Sequence, residues 1–391
     1  MKNDLVKDAL LGSSVFKDEA SLFPEYIPPE LPNRDEEVKR LARNFRALLR
    51  RDGAFSVNVA IVGNAGIGKT ALAKYTMAQL KELAVNENIN IDYAYYNCHS
   101  FRSKTAILRS LMADRFMIQS RGFSDEEVLE MLFRRLQNEN QHLILVLDEA
   151  NMLESEDILS IIHANEALGI SLSTIVISRP TEWKMLLDAP LSGHIHDQIN
   201  LRSYNIDQLM TILNYRARIA FMPQAYTTDL IELVAEISSH TRNARHGLEI
   251  LYRTGKAADN LSKSMLDPED IRRSKNEVYP ELRPDIFYDL KEHELIAALS
   301  IARDLMDTGS TATTINSCFE QYETACAEFG VSRRKLITFR GFVDTLVNVG
   351  IVGKTTALAN KGKRGRRSKI TLFDIPASVL AERVEQRIKS A

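Results

Sequence analysis

The chain has 391 residues, long enough for two or three domains. Its 45% hydrophobic and 26% charged residues are those of an ordinary globular protein, and nothing approaches the roughly eighteen consecutive apolar residues of a membrane span. A net charge of −2 excludes a chain that is basic throughout, and residues Met1 to Leu10 lack the apolar region of a secretory signal. The three cysteines, Cys98, Cys318 and Cys326, form no CxxC pair and fit neither a zinc site nor a disulfide framework. They are expected to be plain buried thiols in a reducing, cytoplasmic protein.

Residues 1–33 read as irregular, with Pro24, Pro28, Pro29 and Pro32 close together. Val38, Leu41, Phe45, Leu48 and Leu49 recur at helical spacing and predict a helix over 34–50, capped by Asn33 or Asp35. Short apolar runs then alternate with helical patterns. The runs at 57–62, 91–97, 143–147, 173–178 and 197–201 predict a parallel sheet with helices on both faces. The run LILVL (143–147) does not alternate, so it reads as a strand buried on both sides.

Strand signals stop near residue 205. Patterns over 205–221, 226–239, 243–260 and 267–277 predict a helical domain, and Pro280 and Pro284 bound an expected linker. Helices are predicted over 290–307, 315–329 and 338–349. A basic stretch, a short strand at 369–373 and a helix at 377–389 follow. Three helices and then a hairpin are the order of a winged helix. The expected domains are therefore 1–204, 205–280 and 285–391.

The strongest motif is Gly63-Asn64-Ala65-Gly66-Ile67-Gly68-Lys69-Thr70, a complete G-x-x-x-x-G-K-[ST] between a strand and a helix. Glycines let consecutive N–H groups face phosphate oxygens, and the helix N-terminus adds partial positive charge. Asn64 to Ala71 are thus candidate nucleotide contacts, with Lys69 on the β- and γ-phosphates and Thr70 on Mg²⁺. Asp148 and Glu149 end the buried strand LILVL. Asp148 is the candidate magnesium partner, and Glu149 the candidate group that polarises the attacking water. Together these motifs imply binding of ATP and ADP with Mg²⁺. His194 and His196, two apart, are only a weak metal signal.

Phe16-Lys17-Asp18 and Tyr26-Ile27-Pro28-Pro29-Glu30-Leu31-Pro32-Asn33-Arg34-Asp35-Glu36 resemble the N-terminal signature of archaeal origin-binding initiators. These are AAA+ ATPases related to the eukaryotic origin recognition complex and its helicase-loading partner. The resemblance runs from about residue 15 to the C-terminus. It implies a P-loop parallel-sheet core, a helical lid and a C-terminal winged helix, and places the N-terminal segment over the adenine. Asn97-Cys98 matches the family's strand-end Asn-Cys. Tyr204 and Arg216 match nucleotide contacts at the start of the lid. Asn243-Ala244-Arg245 resembles the sensor-two motif, from which Arg245 would reach the γ-phosphate and couple the lid to nucleotide state. Residues 101–118 match a helical insertion that touches DNA, with Arg102, Lys104 and Arg109 as candidates.

Three departures bear on hydrolysis. Asn151 stands where the family commonly has a further acid. Arg179 follows Ser178 where a sensor-one Asn is usual. Asp188-Ala189-Pro190 replaces an Asp-Pro-Arg whose arginine is thought to act across a subunit interface. Slow hydrolysis, or hydrolysis needing a partner, is expected.

No acidic residue occurs between Asp344 and Asp374, an interval holding Lys354, Lys361, Lys363, Arg364, Arg366, Arg367 and Lys369. This pattern predicts a local polyanion contact. Thr338 and Arg340 open the candidate recognition helix, and Arg334 lies just before it. Lys363, Arg364, Arg366 and Arg367, in a segment resembling the family's Gly-x-x-Gly-Arg wing tip, are candidate phosphate contacts. The expected partner is double-stranded origin DNA, together with a paralogous initiator and the replicative helicase. No membrane is expected, and the location is cytoplasmic, at the nucleoid. The alternatives are a transcription or plasmid regulator with a vestigial ATPase, and a transposition-helper ATPase. The last gives no reason for the N-terminal signature or the wing.

Overall fold

The computed structural model describes residues 14–49, 56–168, 171–187, 189–278, 290–358, 366–373 and 375–390. The chain divides into two compact units. One comprises Ile27–Gln208 with Arg242–Ala244; the other comprises Met1–Tyr26, Leu209–Thr241 and Arg245–Ala391.

The first unit is built on five parallel strands: β1 (Asn58–Val62), β2 (Ile91–Asn97), β3 (His142–Asp148), β4 (Leu172–Ser178) and β5 (Asp197–Asn200). Their order is β2-β3-β4-β1-β5. The apolar runs predicted as strands therefore form the parallel sheet expected from them. β1, β3 and β4 are buried at every position, as non-alternating sequences require. Register sets Ile61 of β1 between Ile177 of β4 and Ile199 of β5.

The helices of this unit are α1 (Asp35–Asn44), α2 (Lys69–Asn86), α3 (Lys104–Phe116), α4 (Asp125–Asn138), α5 (Ser155–Leu168), α6 (Pro180–Leu186) and α7 (Ala189–His194). Helix α4 opens with a full capping box between Ser124 and Glu127. Helix α1 departs from expectation. It stops at Asn44, and a 3₁₀ turn continues over Arg46–Leu49. Neither Asn33 nor Asp35 caps it. Arg34 sits at the N-cap without a side-chain cap bond, and Asn33 is left-handed at φ 63°.

The second unit carries the lid helices α8 (Ile206–Ala220), α9 (Thr228–Ser239), α10 (Ala244–Asn260) and α11 (Pro268–Val278), the first and third beginning in the other unit. The winged helix follows as α12 (Glu292–Thr308), β6 (Thr313–Thr314), α13 (Ile315–Glu328), α14 (Leu336–Asn348), β7 (Gly353–Leu358), β8 (Arg366–Thr371) and α15 (Ala377–Ser390). Its antiparallel sheet runs β6-β8-β7. α12 is buried from Leu295 to Ala302 and forms the middle of a core with Tyr322, Phe339, Leu346 and Leu380. Strand β6 was not expected, β7 pairs with β8 as the expected hairpin requires, and α14 begins two residues before the expected helix.

Lid and winged helix share this unit through two charged side chains of α11. Arg272, 1% exposed, donates to the carbonyls of Leu372 and Thr311 at 3.2 and 3.0 Å. The carboxylate of Glu269 accepts from the N–H groups of Ala377 and Ser378, at 3.0 and 2.9 Å. It thereby satisfies orphan donors at the start of α15, where a negative charge is also favoured by the helix dipole. We retain 1–204, 205–280 and 285–391 as proposed sequence domains. The linker expected at Pro280–Pro284 lies outside the described residues.

Residues 14–26 belong to the lid's unit. Phe16 stacks on Phe221 with centroids 5.0 Å apart. The N–H groups of Lys17 and Asp18 share the carbonyl of Ala220. A Cβ at Gly255 would come within 2.2 Å of the Phe16 ring, so the glycine in α10 makes room for it.

Candidate nucleotide site and nucleic-acid interface

Parallel strands bring their carboxyl ends to one edge, where ligands of such sheets bind. Strand β1 runs into Gly63, β3 into Asp148-Glu149, and β4, lying between them, into Arg179. The loop over Asn64–Gly68 turns through Gly66 at φ 71° and Gly68 at φ 90°, where glycine is strongly favoured. A Cβ at Gly66 would also meet the Asn243 carboxamide oxygen at 1.7 Å. Gly68 caps the eighteen-residue helix α2, whose first turn carries Lys69, Thr70 and Ala71. Asn64 and Ala65 are exposed, whereas Ile67 is buried and anchors the loop. Lys69, 5% exposed, donates to the carbonyls of Gly63 and Asn64 at 2.8 and 2.9 Å. This holds its ammonium inside the loop.

Asp148 is buried and fully engaged. Its Oδ2 accepts from Thr70 Oγ1 at 2.5 Å and from the Tyr95 hydroxyl at 2.8 Å, and its Oδ1 accepts from the Glu149 N–H at 2.9 Å. Burial and the adjacent Asp148 carboxylate push the Tyr95 phenol well above its ordinary range. Burial, then Asp148 and Glu149, push the Cys98 thiol up to about 12, which leaves it an inert thiol. Glu149 adopts φ 52°, a costly left-handed conformation for a non-glycine residue, of the kind that concentrates at functional sites. Its buried Oε2 accepts no hydrogen bond among the described residues and lies 3.6 Å from Arg179 Nε. Thr70 and Asp148 present hard oxygens side by side, a donor set that suits Mg²⁺.

Arg34, 4% exposed, ties the N-terminal signature to this loop. Its guanidinium donates to the carbonyl of Ile67 at 2.9 Å, to that of Arg202 at 3.0 Å and to the Tyr204 hydroxyl at 3.0 Å. Tyr204 thus stands beside the phosphate loop, with the position of a Gly68 Cβ 3.1 Å from its hydroxyl. Sequence reasoning gave Arg34 no role beyond the signature and overlooked Tyr95. Alternation along β2, which puts Tyr93, Tyr95 and Asn97 on one face, was the available signal for Tyr95.

In the second unit Arg216 is 7% exposed and grips the N-terminal segment. Its Nε donates to the Ser21 carbonyl at 2.6 Å, and its guanidinium lies 5.1 Å from the Tyr26 ring centroid. Arg245 is exposed in the first turn of α10.

His194 and His196 serve β1: the Asn58 N–H donates to His196 Nδ1 at 3.0 Å, and the Asn58 amide to the His194 carbonyl at 3.2 Å. Among the described residues no cluster of three or more His, Cys, Asp or Glu could hold a metal. No helix among them is long and apolar enough to cross a membrane.

At the winged helix, Lys335, Thr338 and Arg340 are exposed about the start of α14. Arg334 Nε donates to His293 Nε2 at 3.1 Å, which leaves the ring proton on Nδ1, 2.8 Å from the Tyr322 hydroxyl. Two basic residues of the acid-free interval are committed elsewhere: Lys354 pairs with Asp344 at 2.6 Å, and Lys369 with Glu232 at 3.1 Å. Lys363 and Arg364 lie outside the described residues. Arg366 and Arg367 open strand β8, opposite Leu358 and Ala357. In the expected insertion, Arg102 and Arg109 are exposed, but Lys104 is bound to Ser160 at 3.0 Å and lies 3.7 Å from Asp125.

Comparison with known proteins matches this architecture segment by segment. An AAA domain model matches residues 57–186, a Cdc6 AAA+ ATPase-type lid domain matches 210–276, and a CDC6 C-terminal winged helix domain matches 285–381. An ORC1-type DNA replication protein 2 of Sulfolobus acidocaldarius is 28% identical, the match covering 96% of this chain and 94% of that protein. The crystal structure of Cdc6p from Pyrobaculum aerophilum is 25% identical, with a TM-score of 0.84 over 96% of this chain and 99% of that one. ORC1 of Aeropyrum pernix, solved in complex with DNA, shares the fold at 23% identity and a TM-score of 0.62, over 96% and 97% of the two chains. With its AAA domain, its Cdc6-type lid and its Cdc6-type winged helix in one chain, this protein belongs to the ORC1/Cdc6-type family of DNA replication proteins.

Proposed function

We propose that this protein binds replication-origin DNA under control of ATP, initiates chromosomal replication and helps recruit the replicative helicase. The observation that carries the reading is a complete phosphate loop joined, in one chain matching ORC1-type proteins along its length, to a winged helix with an exposed cationic recognition end. Asn64 to Ala71 would cradle the phosphates, Tyr204 and Arg216 would flank the nucleotide, and Arg245 would report the γ-phosphate. Thr70 and Asp148 would hold Mg²⁺, which neutralises phosphate charge. Glu149 would polarise the attacking water. Arg334, Thr338, Arg340, Lys363, Arg364, Arg366 and Arg367 are the proposed DNA contacts, and a paralogous initiator is the proposed protein partner.

Hydrolysis is proposed to be slow, because Arg179 takes the sensor-one position and pairs with Glu149. A regulator with a vestigial ATPase is not favoured, since the whole-chain relatives are replication proteins. The test is a nuclease footprint across the host's candidate origins, with and without ATP. It compares the wild type with Lys69→Ala and with the double variant Arg364→Ala/Arg366→Ala. Discrete origin protection that changes with ATP, loses its ATP response in Lys69→Ala and weakens in the double variant is expected. Sites found only away from origins would favour a regulator instead.

A further inference from the structure

The exposed face of α14 carries two residues that the free protein does not need. Ile337, in the first turn, is 78% exposed, a costly place for a β-branched apolar side chain. Gly341, one turn on, lies in the helix interior, where glycine costs about 1 kcal/mol relative to alanine. Nothing in the fold asks for it: a Cβ there would meet nothing within 4 Å, and its φ is not positive.

Ile337, Arg340, Gly341 and Asp344 follow the i, i+3, i+4, i+7 spacing and are all exposed, so they form one stripe. The opposite face, Phe339, Val343 and Leu346, is in the core. Arg340 has no ion-pair partner among the described residues, and Lys335 stands exposed at the N-cap. The stripe thus combines an apolar knob, a cation, a position stripped of its side chain and the Asp344 carboxylate, whose charge Lys354 pairs. Lone exposed apolar residues are common on proteins; here one shares a stripe with a glycine that also lacks a packing reason.

We propose that this stripe enters the major groove of duplex DNA, where Ile337 contacts the C5-methyl group of a thymine and Gly341 lets the helix backbone approach the bases. The inference deepens the origin-binding reading and rests on it. The chemistry is specific. In the major groove only thymine offers a methyl, and apolar side chains near the start of a recognition helix read it. Arg340, one turn along, supplies a donor pair for a neighbouring guanine or a phosphate. Loss of Cβ at 341 clears the side chain that would stand next to Arg340 and one turn beyond Ile337.

The test uses the full chain and duplexes selected from a randomised pool, with each thymidine of the selected site replaced singly by deoxyuridine, which lacks only the methyl. One or two positions should lose roughly fourfold in affinity, the size of one buried methyl group. Ile337→Ala should bind the thymidine duplex correspondingly more weakly and be indifferent to deoxyuridine at those positions. Gly341→Ala should raise thermal stability, because alanine favours the helix, yet weaken DNA binding by about tenfold or more. Equal deoxyuridine sensitivity in wild type and Ile337→Ala, or no sensitivity at any position, would overturn the thymine contact while leaving DNA binding intact. Gly341→Ala with undiminished affinity would overturn the close approach. A chain that selects no duplex would overturn both this inference and the function beneath it.

Discussion

Arg34 and Tyr204, 170 residues apart, are joined by a 3.0 Å hydrogen bond, with the guanidinium also 4.3 Å from the tyrosine ring. The same guanidinium holds the Ile67 carbonyl inside the phosphate loop. The N-terminal signature therefore braces the loop from behind. Arg34→Ala leaves two buried acceptors, the Ile67 carbonyl and the Tyr204 hydroxyl, and the part-buried Arg202 carbonyl without their donor. We expect a loss of about 2–4 kcal/mol in urea unfolding and roughly tenfold weaker binding of a fluorescent ATP analogue. Arg34→Lys should rescue little, because one ammonium cannot span three acceptors in a plane. Full rescue by lysine would show that charge alone matters.

Arg179 sits beside Glu149 at 3.6 Å and also lies 3.7 Å from Glu182. A carboxylate oxygen held toward a cation is less free to orient a water molecule. Arg179→Asn should raise single-turnover ATP hydrolysis several-fold while leaving ATP affinity close to that of the wild type. A slower variant would instead make Arg179 a direct stabiliser of the transferring phosphoryl group.

His142 opens β3 at 8% exposure, with Ser173 Oγ 2.8 Å from its Nε2 and the Val57 N–H donating to that same hydroxyl. The hydroxyl thus bridges the Val57 N–H and the imidazole. Burial lowers the histidine from 6.5 to about 4. Between these values the unfolded chain takes up a proton that the folded chain refuses. Stability from this group is complete above pH 6.5 and is lost as pH falls toward 4, by up to about 3 kcal/mol. Chemical unfolding of wild type and His142→Asn across this window should show a shallower pH dependence in the variant. Parallel curves would contradict the assignment.

Lys369 is held by Glu232 at 3.1 Å and Glu236 at 3.8 Å, whereas Arg366 begins the strand at the wing. Log affinity for DNA should fall with log salt at a slope of about −4. Lys369→Ala should leave that slope unchanged, and Arg366→Ala should flatten it by about one unit. The reverse pattern would move the interface from the wing tip to its base.

What was legible in the sequence follows from burial. β1, β3 and β4 are buried on both faces and mostly apolar, so each stood out as a dense apolar segment, and the ends of β1 and β3 located the phosphate loop and Asp148. The bounds of β7, the first arm of the expected hairpin, were illegible because Gly-Lys-Thr-Thr-Ala-Leu has no apolar run and reads as part of a charged stretch. The cap of α1 was misread because Arg34 takes that position to reach the loop, an arrangement no local pattern encodes. The basic run suggested seven equivalent cations, yet ion pairs with Asp344 and Glu232 withdraw Lys354 and Lys369. Charge counting along a sequence cannot see partners supplied by distant helices.

The docking of Phe16 and Ser21 onto α8 and α10 has a consequence for biosynthesis. These residues, and Ser14 beside them, are made long before their partners: Arg216, Phe221 and Asp259 are encoded some 195 to 245 positions later. At about 5–20 residues per second, the segment waits on the order of 10–50 seconds with its aromatic ring unpaired. The whole nucleotide-binding sheet can form in that interval. The lid cannot close its own core until this segment returns to it, so residues made well before the lid find their place only with it.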